Sequence, residues 1–339
     1  MLQESREAPQ AIARQLANDA KAYEDLGALL REMAPAKLKS LLTVARGSSD
    51  HAAAFMAYLM MARLGHLVTS LPMSLITLYQ SKIKCDGLAA FAFSQSGQSP
   101  DLVAPMNYFS QHDAVTAAFV NDAVSPLALA SKFVFPLHAG PEKSVAATKS
   151  FIAQLVAGAR VVAAWQDDAA LKAALANLPA ALENAVLQDW SAGVTALKNV
   201  DRLFVISRGT GLAVAKEAAL KFKETCAIQA EPFSGAEVKH GPMALITEGY
   251  PVLVFAPRGP AQAGLLAFAD EMRNRGAVVL LAAPVGTPHM NLPLVESGAV
   301  DLDPICAIQS FYPMVEALSR ARGFNPDEPR FLNKVTRTQ

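Results

Sequence analysis

Between residues 94 and 101 the chain reads Ser-Gln-Ser-Gly-Gln-Ser-Pro-Asp, three hydroxyls and a glycine within eight positions. Hydroxyls donate hydrogen bonds, and a glycine lets backbone amides approach a ligand closely. Ser99-Pro100-Asp101 has the order of a helix start: a capping hydroxyl, proline at the first helical position, an acid in the first turn. Such a start adds free N–H groups. Together these parts make a cup for an anion, phosphate above all, that needs no lysine or arginine. Ser48 and Ser49, behind Gly47, could close the same cup from another strand end. A single serine-rich turn can also be a plain helix cap. Two such turns at neighbouring strand ends favour phosphate.

The elements that position these turns repeat along the chain. Leu41–Gly47 reads as an apolar strand ending in a glycine turn, with a helix over Ala52–Leu64 for which Ser49 is the expected cap. Leu203–Gly209 reads the same way, followed by a helix over Leu212–Cys226, and the two Arg-Gly pairs lie 162 residues apart. The same shift carries the strand Leu88–Phe93 onto Val252–Phe255 and the strand Val115–Val120 onto Ala277–Ala282. Three strands in one register point to an internal duplication. In the second copy Ala256-Pro257-Arg258-Gly259 replaces the serine-rich turn, so the fold itself does not require the hydroxyls.

Both faces of these strands are apolar, which predicts α/β architecture: two doubly wound, flavodoxin-like parallel-sheet domains with helices on both faces. In such sheets ligands bind beyond the carboxyl ends of the strands, where the serine turns fall. The expected organisation is a helical leader over 1–35, a first domain over 36–166 that carries the serine turns and ends in the helix Val145–Trp165, an alanine-rich helical connection over 167–200, a second domain over 201–325 ending in the helix Ile305–Arg322, and a tail over 326–339.

Composition narrows the class. Among 339 residues, 30 Lys and Arg balance 30 Asp and Glu, so nothing points to nucleic acid as a partner. No uncharged apolar run of about 18 residues is present to cross a membrane. The polar start and three scattered cysteines, Cys85, Cys226 and Cys306, fit a cytoplasmic protein with reduced thiols and no metal site. No Gly-x-x-x-x-Gly-Lys-Ser/Thr loop occurs, and Gly209-Thr210-Gly211 runs on to Val214 where a dinucleotide fingerprint wants a small residue. No cofactor is expected.

The Ser-Gln-Ser-Gly turn, the repeated strand–glycine–helix unit, Gly235-Ala236-Glu237-Val238-Lys239-His240-Gly241-Pro242 and the closing Pro329-Arg330…Lys334 resemble the sugar isomerase (SIS) superfamily, in particular the isomerase half of glucosamine-6-phosphate synthase. The similarity runs over nearly the whole chain. With no cysteine after Met1 and no glutaminase domain ahead of the repeat, the chain further resembles the free-standing SIS-type glucosamine-6-phosphate deaminases.

The resemblance implies roles residue by residue. Ser49, Ser94, Gln95, Ser96 and Ser99 would hold the phosphate, alongside Gly47, Ser48 and Gly97 of the same turns. Glu224 would be the acid/base carboxylate, with Lys221 one turn earlier on its helical face; by position alone this pair reads as a solvated helix ion pair. His240 would open the sugar ring, contributed across a homodimer. Lys334 would meet the sugar carbonyl, with Arg330 beside it. Ala147 stands where the synthase pattern has serine, which bears on the identity of the sugar. The expected activity is deamination and isomerisation of an amino-sugar 6-phosphate to fructose 6-phosphate and ammonia. Another aldose–ketose isomerase, a galactosamine-6-phosphate deaminase or a fructosamine-6-phosphate deglycase are the alternatives among enzymes. A sugar-phosphate sensor is the alternative of another class.

Overall fold

Ten strands form two five-stranded sheets in the computed structural model, which describes residues 1–34 and 36–334. The first sheet contains β1 (Ser40–Val44), β2 (Val68–Ser70), β3 (Leu88–Ser94), β4 (Val115–Val120) and β5 (Phe133–Pro136), in the order β2-β1-β3-β4-β5. The second contains β6 (Arg202–Ser207), β7 (Gln229–Ser234), β8 (Pro251–Phe255), β9 (Val278–Pro284) and β10 (Leu292–Leu294), in the order β7-β6-β8-β9-β10. Every pairing is parallel, and the two orders are the same. The chain therefore has the expected α/β fold of two helix-flanked parallel sheets, and the strands of the 162-residue shift take equivalent places, β1 with β6, β3 with β8 and β4 with β9. In each sheet the chain steps to one side and then back past its start, so β1/β3 and β6/β8 mark the switch points where a crevice opens.

Contacts divide the chain into two units that the linear order does not predict. One holds the first sheet and takes in residues 10–142, 149–176 and 333–334; the other holds the second sheet and takes in residues 1–9, 143–148 and 177–332. The expected leader is three helices, Leu2–Arg6, Ala8–Ala17 and Ala20–Met33, the last two separated at Asp19 (φ 61°). Its first nine residues count with the second-sheet unit, where Gln309 Nε2 donates to the Ser5 carbonyl.

In the first-sheet unit the period of two decides which side chains meet. Ala90, Ala92, Ala118 and Val120 face one side and pack under Leu102, Met106 and Phe109 of the helix Pro100–Gln111. On the other side Phe119 stacks between Phe93 (4.5 Å) and Phe135 (5.1 Å), and Tyr23 packs on Phe135. The helix predicted over Val145–Trp165 starts at Lys149 and runs to Gln166, because Glu142 satisfies its first turn: Oε1 accepts from the Ser150 N–H and Oε2 from the Ser150 hydroxyl. Every residue from Lys149 to Trp165 is buried. The helix Ser48–Leu59 lies against it, and a Cβ at Gly158 would sit 2.8 Å from the Met56 Cβ, so only glycine permits that approach.

In the second-sheet unit the helix Gly211–Cys226 packs on Asp303–Ala321, with Phe222 edge-on to Phe311. The stretch 167–200 forms the helices Ala169–Val186 and Ser191–Leu197. All three cysteines are buried and unpaired. Among the described residues no helix is long and apolar enough to cross a membrane.

Candidate active site

The two serine turns stand side by side at the first sheet's switch point, since β1 and β3 pair with Val44 opposite Ala92. The helix after β1 begins earlier than expected, at Ser48 rather than Ala52. Gly47, not Ser49, occupies the cap position, with φ 56° and ψ −133°, a conformation open to glycine, and no atom lies within 4 Å of where a Cβ would be. Ser48 and Ser49 are thereby drawn into the first helical turn. Ser49 Oγ accepts a 3.0 Å hydrogen bond from Nε2 of Gln154.

The turn after β3 is equally constrained. Ser94 Oγ accepts from the Gly97 N–H (3.0 Å) and Ser96 Oγ from the Gln98 N–H (3.3 Å). The Gly97 carbonyl accepts from Leu127 N–H and the Gln95 carbonyl from Asn121 N–H, which ties the turn to the loop after β4. Gly97 has φ 64°, and a Cβ there would fall 2.1 Å from Ser125 Oγ. Ser99 caps the helix Pro100–Gln111 by backbone conformation, its hydroxyl bonding no N–H of that helix. Arg46 Nη2 lies 3.8 Å from Asp101 Oδ2 and joins the two turns.

These hydrogen bonds share a direction. Ser49, Ser94 and Ser96 each receive a hydrogen from a protein donor, so each hydroxyl keeps its own hydrogen to give. Hydroxyls that keep a hydrogen to donate suit an anion. In the second sheet the polar side chains at the strand ends are satisfied from within. Ser207 Oγ donates to the Phe255 carbonyl, and Arg258 is held by Asp303 (2.8 and 3.1 Å) and Glu296 (2.7 Å).

Lys334 belongs to the first-sheet unit, with its ammonium 3.1 Å from Oε2 of Glu142. Glu142, whose side chain is wholly buried, was not foreseen; only its place eight residues before Ser150 could have suggested it. The remaining expected residues lie in the other unit. Lys221 is fully buried on the helix Gly211–Cys226, 3.2 Å from Glu217 Oε1 and 2.5 Å from Glu224 Oε2. Burial alone would lower its pKa, but the two carboxylates more than reverse this and hold it above the ordinary lysine value. The pair is thus no solvated surface contact: Glu217 is also fully buried, and only Glu224, with 19% of its side chain exposed, reaches the surface. Lys221 in this chain fixes Glu224. Glu217 escaped the sequence reading, although its place four residues before Lys221 on one helical face is a signal for it.

His240 follows the short helical turn Glu237–Lys239 after β7 and is exposed. Glu224 lies thirteen residues along a helix that runs back from the carboxyl edge of its sheet, about 20 Å from that helix's start. Among the described residues no hydrogen bond or ion pair joins His240 to Glu224, whose side-chain partner is Lys221. Arg330 is exposed and stacks over Phe324, 4.8 Å from the ring centroid. Residues 335–339 of the expected tail lie outside the described residues.

A family model for the SIS domain matches residues 35–164 and 196–283. Glutamine–fructose-6-phosphate aminotransferase (isomerizing) from Aeropyrum pernix is 32% identical over 99% of this chain and 56% of its own length. The chain thus spans about half the length of the curated relatives it matches. A solved Silicibacter pomeroyi protein provisionally designated a phosphosugar isomerase is 43% identical, with a TM-score of 0.90 over 96% of this chain and 99% of that one. A solved glucosamine-6-phosphate deaminase from Thermotoga maritima gives a TM-score of 0.72 at 20% identity, over 98% of this chain and all of that one, a likeness of fold.

Proposed function

This chain belongs to the SIS domain family, and from that premise we propose that it is an amino-sugar-6-phosphate deaminase/isomerase that works as a homodimer. The observation that carries the reading is the cup at the β1/β3 switch point, whose hydroxyls accept from the protein and retain hydrogens for an anion. A phosphate held there anchors one end of an open-chain sugar and leaves the other end for proton transfer.

The chemistry needs a ring opened, a proton taken from C2 and returned at C1, and water added to the resulting C2 imine, which releases ammonia and leaves the ketose phosphate. His240 suits ring opening, since imidazole titrates near neutrality. Glu224, held by Lys221 and open on one side, suits the proton shuttle. Lys334 suits the carbonyl end of the sugar. The reason for invoking a second copy is the family resemblance, which has the ring-opening histidine contributed across a homodimer. The deaminase reading rests on these residues, because the Thermotoga maritima likeness is one of fold. Ala147, which offers no hydroxyl, leaves the C4 epimer to be read by assay.

The test is incubation with glucosamine 6-phosphate and galactosamine 6-phosphate, with ammonia and ketose phosphate measured together. Equal amounts of both products are expected from one of the two sugars, and unphosphorylated glucosamine should be a very poor substrate. Ketose without ammonia from an unaminated aldose phosphate would make the protein a plain isomerase. Turnover of free and phosphorylated sugar at the same rate would remove the cup from the site.

A further inference from the structure

We propose that Gln154 sets the hydrogen-bond polarity of Ser49, so that this hydroxyl can act towards a ligand only as a donor. Gln154 is then a positioning residue of the phosphate cup. The inference rests on the phosphate reading above and adds to it a residue about a hundred positions away in sequence.

Gln154 lies on the buried helix Lys149–Gln166, is 1% exposed, and points Nε2 at Ser49 Oγ over 3.0 Å. One turn further along, the close contact of Gly158 with Met56 keeps the helix Ser48–Leu59 against it, so the amide cannot drift away from the serine. A serine hydroxyl has one hydrogen and two lone pairs. With Gln154 donating to one lone pair, the hydrogen of Ser49 is free, and it finds no acceptor among the described residues. Oε1 of Gln154 is itself buried and without a hydrogen-bond partner there. The turned-over amide would bury its NH2 group instead and would take the Ser49 hydrogen, leaving a lone pair towards the cup. An anion requires the first orientation and is repelled by the second. Ser94 and Ser96 are polarised by backbone N–H groups, which cannot turn over. At Ser49 the polarity depends on a side chain, and substitution can reverse it.

Gln154→Glu supplies that reversal: an ionised carboxylate accepts the Ser49 hydrogen and adds charge behind the cup. Gln154→Leu leaves the hydroxyl free to rotate. Titration calorimetry with inorganic phosphate should show binding about 30-fold weaker or worse for Gln154→Glu, the scale of a lost hydrogen bond to a charged group, and about 3–10-fold weaker for Gln154→Leu. In turnover the loss should fall on KM, with kcat within about threefold of wild type, the pattern of lost uniform binding. Inorganic sulfate, whose charge is constant from pH 5 to 8, separates polarity from packing. The deficit of Gln154→Glu should shrink as pH falls, because a protonated carboxyl can donate to Ser49 as the amide does.

Ser96→Ala distinguishes the two levels of failure. If it and both Gln154 variants bind phosphate as wild type does, the cup itself falls. If Ser96→Ala weakens binding while the Gln154 variants do not, only the polarity inference falls. Equal losses in Gln154→Glu and Gln154→Leu, independent of pH and accompanied by lower melting temperatures, would also overturn it in favour of packing. Should Gln154→Glu fail to fold, Gln154→Leu decides: normal melting with weaker phosphate supports the inference, and wild-type affinity overturns it.

Discussion

Gly97→Ala is the substitution whose cost the structure specifies most closely. Gly97 sits at φ 64°, and forcing an L-residue into the left-handed region costs about 1–2 kcal/mol. The new methyl would lie 2.1 Å from Ser125 Oγ and 2.6 Å from Ser125 Cβ, and Ser125 is 1% exposed and caps the short helix Pro126–Leu129. Overpacking of this kind costs about 1–3 kcal/mol. The total, about 2–5 kcal/mol, corresponds to a melting temperature lowered on the order of 4–20 °C at roughly 2–4 °C per kcal/mol. Phosphate affinity should fall at least about tenfold, because the Ser94 and Ser96 hydrogen bonds are built on this turn. Differential scanning calorimetry and phosphate titration read the two effects separately. Ser125→Gly removes both clashing atoms, so the double variant should recover about 1–3 kcal/mol relative to the sum of the singles. Wild-type melting and phosphate binding by Gly97→Ala, or the absence of coupling to Ser125, would refute the reasoning.

Three further outcomes are expected. Lys221→Met should destabilise the protein by about 3–5 kcal/mol, because it strands the fully buried Glu217 without its ammonium. The folded pKa of Lys221 is raised, so its own contribution is complete below the ordinary lysine value near 10.5 and is lost only as pH rises beyond it; in the variant the stranded Glu217 carboxyl is pushed up by burial, so chemical denaturation should show a deficit at pH 9 at least as large as that at pH 6. Glu224→Gln should lower turnover by at least about 100-fold with KM little changed, and solvent deuterium entering C1 at the wild-type rate would exclude it as the base. Burial raises the carboxyl pKa of Glu4, but the Ser144 hydroxyl and the Lys143 and Ser144 amides together hold it below its ordinary 4.5. Its stabilisation is therefore present above about pH 4.5 and is lost as pH falls through the lower folded value, so Glu4→Gln should flatten the acid limb of the stability curve, and an unchanged limb would deny Glu4 this role.

The strands at the centre of each sheet were legible because both of their faces are buried, which writes β3 and β4 as unbroken apolar runs. The outer strands were not. Val68–Ser70 and Leu292–Leu294 are three residues long, and Gln229–Ser234 carries a glutamate and a proline at a sheet edge, so none has the run or the alternation that marks a strand. The serine turns could be read because local chemistry defines them: hydroxyls, a glycine and a helix start within a few residues. Ser49 was misplaced as the cap because Ser is the commoner capping residue, whereas the chain needs the positive φ of Gly47 there. Gln154 and Glu142 were invisible for a different reason. They meet partners, Ser49 and Lys334, that only packing across long stretches of chain brings to them, whereas Glu217 did carry a signal, the i,i+4 spacing to Lys221, that went unread.

Arg258, locked between Asp303 and Glu296, means that the second sheet satisfies its own strand-end turn, while the first leaves hydrogens waiting for a guest. Anions therefore enter the heat stability of the two halves unequally. On the phosphate reading, the first-sheet unit gains about 2.7 kcal/mol at a hundredfold excess over the dissociation constant, and the second gains nothing at that turn. A calorimetric scan in phosphate should pull two transitions apart, with only one of them moving. On the same reading, withdrawing phosphate makes the first-sheet unit open more often and meet proteases sooner than it does with the anion bound, so the anion helps to set the lifetime of the chain.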